Sequence, residues 1–190
     1  MTGVSTEQMK QWTGEFGREY TERNLLSLGQ VDALYHRNYG LTRSHLNEQF
    51  LAGIARTSRV LEVGSNVGNQ LLFLQHMGFG ALFGIELQSD AVELAKSRTK
   101  RINLIEGTAF DIPFKDGFFD LVFTSGLLIH ISPADIHTAL AEIHRCTSRY
   151  IWGLEYYAGQ TTEIEYQGRK GCSGSPISCV CTWTSSRIWS

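Results

Sequence analysis

The run VLEVGSNVGN at positions 60–69 sets an acid, Glu62, two residues ahead of Gly64, with Gly68 four residues further on. Gly64 admits a turn that a side chain would obstruct, and Gly68 lets a following helix pack close to the strand it leaves. The turn through Ser65, Asn66 and Val67 therefore leaves room for a ligand above the strand's carboxyl end, where open α/β sheets bind their ligands. The loop is not built to grip a pyrophosphate. The dinucleotide fingerprint GxGxxG needs a second and a third glycine, and here Asn66 stands at the second and Gln70 near the third. An acid beside an open glycine turn suits a ligand with an amino-acid end, whose ammonium group Glu62 would attract.

A second acid, Glu86, closes the next apolar run, ALFGIEL. A carboxylate there can accept hydrogen bonds from both hydroxyls of a ribose. After the third run, Gly107, Thr108, Ala109 and Phe110 offer a short backbone turn with an aromatic ring, an edge for an adenine. His130, in SGLLIHI, follows the fourth run, and imidazole is the side chain that takes a proton near neutral pH. Its alternative role is packing at a helix start. His137 and His144 fall on the next amphipathic stretch and read as surface residues.

The elements that must carry these residues alternate between two periods. Apolar runs begin at VLEV, ALFGIEL, INLIEG, FDLVFTSG and RYIWGLEYY, and NQLLFLQHMG, SDAVELAKSRTK and PADIHTALAEIHRC have helical periodicity between them. Parallel neighbours need a crossover and a helix supplies it, so the expected fold is α/β, a doubly wound, mainly parallel sheet. Ahead of it, Trp12, Phe16 and Tyr20 recur four apart, which predicts one helical arm over 6–28, and a second helix is expected over 44–55. Arg18, Arg23 and Arg43 in this region could hold a carboxylate, since guanidinium grips carboxylates in two-pronged fashion. Tyr156 and Tyr157, just past Glu155, are expected to face an acceptor.

Composition bounds the rest. The 190 residues carry 17 Lys plus Arg against 19 Asp plus Glu, a formal net charge of −2, with an isoelectric point near 6.3. No basic stripe is available to neutralise phosphates, so a nucleic-acid role is disfavoured. No run approaches the roughly 18 to 20 apolar residues of a membrane span, and the start, MTGVSTEQMK, lacks an export pattern, so the expectation is a cytoplasmic protein with no membrane partner. Four cysteines are too few for a disulfide scaffold, and Cys172, Cys179 and Cys181 lack a fourth ligand nearby, so no metal is expected.

Taken together, VLEVGSNVGN, Glu86, GTAFDIPFKDGFFDLVFTSGLLIH and the helix after it resemble the core of a class I S-adenosylmethionine-dependent methyltransferase over residues 59–157. The resemblance implies that Glu62 organises the methionine moiety with the loop residues Gly64, Ser65, Asn66, Gly68 and Asn69. Glu86 and Leu87 would hold the ribose, Thr108 and Ala109 would face adenine, and Ser125 and Gly126 would line the methyl side. Thr108 departs from the Asp or Asn common at its position in that family. His130 is then the candidate catalytic base. The stretches WTGEFGREYTERN and EYYAGQTTEIEYQGRKG further resemble the methylases associated with pseudaminic acid biosynthesis, which implies a small nonulosonic-acid sugar as acceptor. The rival reading is a non-catalytic or truncated S-adenosylmethionine-binding domain; an NAD-dependent oxidoreductase would require the missing GxGxxG loop.

The expected division is a helical arm and cap over 1–58, the cofactor-binding core over 59–158 and an atypical tail over 159–190. The tail ends GCSGSPISCVCTWTSSRIWS, with no Asp, Glu or Lys after Lys170. Permitted codons for it, read one base earlier, give LLWKSDFVRMYLDFFPDLE, a pattern closer to a folded domain and to what the methylases carry after RKG. A shifted reading frame from Gly171 is therefore expected, with the sheet lacking its last antiparallel strand pair.

Overall fold

The computed structural model describes residues 6–156, 162–166 and 169–174. Five parallel strands form the central sheet in the order β3-β2-β1-β4-β5: β1 (Arg59–Val63), β2 (Ala81–Glu86), β3 (Ile102–Glu106), β4 (Phe119–Ser125) and β5 (Thr147–Leu154). Strand order reverses between β1 and β4, which are paired from Val60 with Leu121 to Val63 with Thr124. The two strands diverge in their connections there, so a crevice opens beyond their carboxyl ends. β1 and β4 are buried almost throughout because both faces of the sheet are covered, as parallel sheets require.

Each face has its own apolar cluster. On one, Val60, Leu82, Leu104 and Phe123 pack with Leu71 and Leu74 of α5 (Asn69–His76) and Val92 and Ala95 of α6 (Ser89–Arg98). Val31, Leu51 and Ile54 from the N-terminal region join that same cluster, so the cap is part of the core. On the other face, Leu61, Val63, Ile85 and Val122 pack with Ile143 and Cys146 of α7 (Ile136–Cys146). The doubly wound fold expected from the alternating periods is the fold observed. β3 passes to β4 without a helix: Arg145 donates to the carbonyls of Ile112 and Phe114, at 2.8 Å each, and pins the intervening loop.

The N-terminal region departs from the expected single arm. It divides into α1 (Glu7–Trp12) and α2 (Glu15–Arg23), with Gly14 extended at the N-cap of α2. The break folds α2 back on α1, and the close approach requires glycine at position 17, where a Cβ would lie 1.7 Å from the Trp12 carbonyl oxygen. A helix the periodicity did not predict follows, α3 (Leu28–Tyr39), opened by a capping box between Ser27 and Gln30 and closed by Gly40 at φ 75°. The second expected helix is α4 (Arg43–Leu51), shorter at its carboxyl end than 44–55.

Beyond β5 the chain forms an antiparallel pair, β6 (Thr162–Tyr166) and β7 (Arg169–Gly174), which does not join the main sheet, so among the described residues that sheet lacks the last antiparallel pair as expected. The pair forms a separate two-stranded sheet, and β5 has β4 as its one sheet neighbour among the described residues. Tyr157, Cys179, Cys181 and most of the tail read as frame-shifted lie outside the described residues. No helix among the described residues is long and apolar enough to cross a membrane.

Candidate functional site

A cleft of about 700 Å³ opens at the carboxyl ends of β1, β2 and β4. Glu62, Gly64, Ser65, Asn66 and Asn69 from the first loop line it, together with Glu86 and Leu87, Thr108 and Ala109, Ser125, Gly126 and His130. Residues chosen from scattered positions in the chain thus converge on one cavity. Gly68 does not line it. Gly68 is the left-handed N-cap of α5, φ 77°, and its open face looks toward Ala95 of α6 and Thr99 just past its end, so its part is helix packing.

The first loop is held from two sides. The backbone amides of Gly64 and Ser65 both donate to the Ile85 carbonyl, at 2.9 and 3.0 Å, which fixes the turn to β2. Gly64 takes φ 77°, and a Cβ there would lie 2.8 Å from Leu127 Cδ1, so glycine keeps this wall of the cleft open. Asn66, at φ 44°, replaces a fingerprint glycine in a conformation that asparagine tolerates. Its amide nitrogen donates to Thr21 Oγ1 at 3.0 Å, and the Asn69 amide donates to the Asn24 carbonyl at 2.8 Å. The two asparagines tether the N-terminal cap over the loop.

Glu86 is buried, and its carboxylate accepts from the backbone amides of Asn66 at 2.8 Å and Gln88 at 3.1 Å. Burial nevertheless pushes its carboxyl above the usual range, the amides opposing that rise. Glu62 is 2% exposed, and burial pushes its carboxyl well above the ordinary value; the Arg43 guanidinium pulls it down and Glu86 pushes it up further. Its Oε2 is buried with no hydrogen-bond partner. A buried acceptor oxygen on a cleft wall, beside a glycine turn that a Cβ would narrow, fits the ammonium end of an S-adenosylmethionine-type ligand. The residues present therefore fit the group.

His130 ends a 3₁₀ turn, Leu128–His130, that follows β4. Its ring packs edge-on against Trp12, centroids 4.5 Å apart, and against Tyr20 at 6.4 Å. Burial holds the imidazole down to about 4, so it is neutral at physiological pH. Trp12, Phe16 and Tyr20 do come together, Trp12 lying 5.0 Å from each of the other two rings, and Trp12 and Tyr20 line the cleft. The packing comes from the α1–α2 turn and not from one helical face. His137 and His144 are exposed, as expected. Of the three arginines, Arg23 lines the cleft, Arg18 is exposed outside it and Arg43 is buried behind its wall. Tyr156 is 51% exposed at the cleft mouth.

Glu155 was not singled out by the sequence beyond its place at a strand end. It lines the cleft, accepts from the amides of Leu127 and Leu128 at 3.1 Å each, and burial pushes its carboxyl up to about 7. The carboxylate therefore clamps the segment that leads to His130. An acid directly after the last core strand was the one signal that could have marked it.

Residues 61–149 match the family model described as a methyltransferase domain. Over those residues the chain is similar to a methyltransferase domain, and its sheet has the class I methyltransferase fold. An uncharacterized methyltransferase of Synechocystis sp. is 29% identical over 92 residues, which is 48% of this chain and 43% of that protein. An O-methyltransferase of Aspergillus nomiae is 31% identical over 96 residues, 47% of this chain and 42% of that protein. The chain thus spans less than half the length of the curated relatives it matches. Among solved structures, a putative S-adenosyl-L-methionine-dependent methyltransferase from Methanococcus maripaludis superposes with a TM-score of 0.56 at 19% identity, covering 80% of this chain and 67% of that one. At that identity the likeness speaks for the fold. The matched domain starts inside β1 and ends inside β5, so it holds Glu62, Glu86 and His130 and leaves out the N-terminal cap and Glu155.

Proposed function

We propose that this chain binds S-adenosylmethionine in the cleft and transfers its methyl group to a small polar acceptor. The observation that carries the reading is the unpartnered Glu62 oxygen buried on the wall of a cleft in a methyltransferase domain. Glu62 would hold the ammonium end, Gly64, Ser65, Asn66 and Asn69 the methionine chain, Glu86 and Leu87 the ribose, and Thr108 and Ala109 the adenine. Ser125 and Gly126 would line the reacting side. When bound, the cofactor supplies an electrophilic methyl group, and the acceptor must lose a proton as it takes that group.

His130 is the candidate for that proton. Its neutral imidazole is unprotonated at physiological pH and can accept, although a group held near 4 is a weak base, and positioning of the acceptor carries much of the rate. Tyr156 and Arg23 at the mouth would meet the acceptor. The resemblance of WTGEFGREYTERN and EYYAGQTTEIEYQGRKG to pseudaminic acid-associated methylases supports a nonulosonic-acid sugar. The deciding experiment is transfer of radiolabelled methyl from S-adenosylmethionine to a nonulosonic-acid intermediate. One observation favours a second reading, cofactor binding without turnover: Trp12 packs directly on His130. Cofactor binding with no label in any acceptor would establish it.

A further inference from the structure

Behind the cleft wall lies a fully buried cation. Arg43, the first residue of α4, has 0% of its surface exposed. Burying a guanidinium is costly unless its donors and its charge are met. Its Nε donates to Asn47 Oδ1 at 3.0 Å, and Nη1 donates to Tyr35 Oη at 3.2 Å and to Ser125 Oγ at 3.1 Å. The rings of Tyr35 and Trp152 face the guanidinium at 5.6 and 5.2 Å. Nη2 has no hydrogen-bond partner, which is also true of Glu62 Oε2. The cation is thus anchored by α3, α4 and the end of β4, with one edge left over in the field of the site's acid.

We infer that Arg43 is the positioning residue for the amino-acid end of the cofactor: a cation carried by the N-terminal cap that holds Ser125 in place and supplies the counter-charge to Glu62. The inference rests on the assignment of that end to Glu62. Only an ionised carboxylate attracts an ammonium, and Glu62 is buried and has a second acid, Glu86, acting on it from β2. The Arg43 charge opposes both, with a smaller contribution from the Leu71 backbone amide. Tyr35 from α3, Glu62 from β1 and Glu155 after β5 all act electrostatically on Arg43, so two acids of the cleft feel the same cation. This makes the cap a working part of the site. It also explains why an arginine, and not an apolar residue, occupies a wholly enclosed position in α4.

The test is calorimetric titration of the full chain with S-adenosylhomocysteine from pH 5 to 9, for the wild type, Arg43→Met, Arg43→Lys and Glu62→Gln. Removing a neighbouring cation raises a carboxyl's titration, so Arg43→Met should bind about tenfold more weakly than the wild type at the acid end of the range and recover as pH rises, its midpoint displaced upward. Arg43→Lys should stay near the wild-type midpoint, and in the Glu62→Gln background Arg43→Met should no longer displace the pH profile. In the Glu62→Gln background, Arg43→Met should cost less than about threefold more, because the two act on one interaction. Parallel pH curves with one shared midpoint would overturn the inference, since a purely structural Arg43 weakens binding equally at every pH. Should Arg43→Met not fold, a wild-type pH profile that Glu62→Gln leaves unchanged overturns it on its own. A folded wild type that binds nothing at any pH is a separate outcome, which removes the cofactor assignment beneath the inference.

Discussion

Substituting Gly64 by valine tests whether the glycine turn is the cofactor's seat. Gly64 sits at φ 77°, where an L side chain is strained by about 1–3 kcal/mol, and a β-branched one has the least freedom to adapt. The new Cβ would come within 2.8 Å of Leu127 Cδ1 and 3.4 Å of Leu127 Cγ, so Leu127 must swing aside. Crowding of that kind adds about 1–3 kcal/mol. Together these give a loss of about 2–6 kcal/mol, which for a chain of this size lowers the melting temperature by roughly 5–20 °C. Leu127 also lines the cleft, so its displacement narrows the pocket beside Glu62. S-adenosylhomocysteine affinity should fall at least about a hundredfold, equivalent to about 2.7 kcal/mol. Calorimetry at a temperature where the variant is folded reads the affinity, and a thermal melt reads the stability. A lowered melting point with unchanged affinity would refute the reasoning, because the turn would then be structural and the ligand elsewhere.

Three further outcomes are expected. Glu86→Gln turns an NH₂ group toward one of the two backbone amides that now donate to the carboxylate, at 2.8 and 3.1 Å, and should weaken S-adenosylhomocysteine by about tenfold or more in a binding titration. Glu155, pushed up from 4.5 to about 7, favours the folded state while protonated, so its contribution is full below about 4.5 and is lost as pH rises through about 7. The loss, about 3 kcal/mol, should appear in denaturant midpoints measured across that window and flatten in Glu155→Gln. His130→Ala should keep cofactor affinity within about threefold while turnover falls at least about a hundredfold; equal turnover would return His130 to a packing role beneath Trp12.

The parallel core was legible because its signal is local and doubled: each strand is an apolar run ended by glycine or acid, and each crossover helix has its own period. β1 and β2 fall where the periods placed them. The cap was less legible because its geometry rests on close approaches that periodicity does not register. Gly17 reads as a helix weakener in sequence, whereas its real constraint is the Trp12 carbonyl, which meets it only once the chain has turned back. α3 carried a readable signal, the Ser27–Gln30 capping box and Gly40, in a segment whose apolar spacing is weak. The site acids Glu62 and Glu86 were found because strand ends mark them. Arg43 was seen as a free carboxylate grip, since sequence says nothing about enclosure; only packing against Tyr35, Trp152 and Ser125 gives it its buried place. Asn66 and Asn69 were read as cofactor-loop residues, and their long-range bonds to Thr21 and Asn24 depend on a cap position that no local pattern encodes.

The most direct test of the central claim is calorimetric titration of the purified full-length chain with S-adenosylhomocysteine, with circular dichroism run on the same sample to establish that it is folded. The cleft built by Glu62, Gly64 and Glu86 predicts saturable binding at about one ligand per chain, abolished in Gly64→Val. A folded chain that shows no heat of binding at any concentration, with no shift of its thermal melt by the ligand, would contradict the assignment of this cleft as a cofactor site.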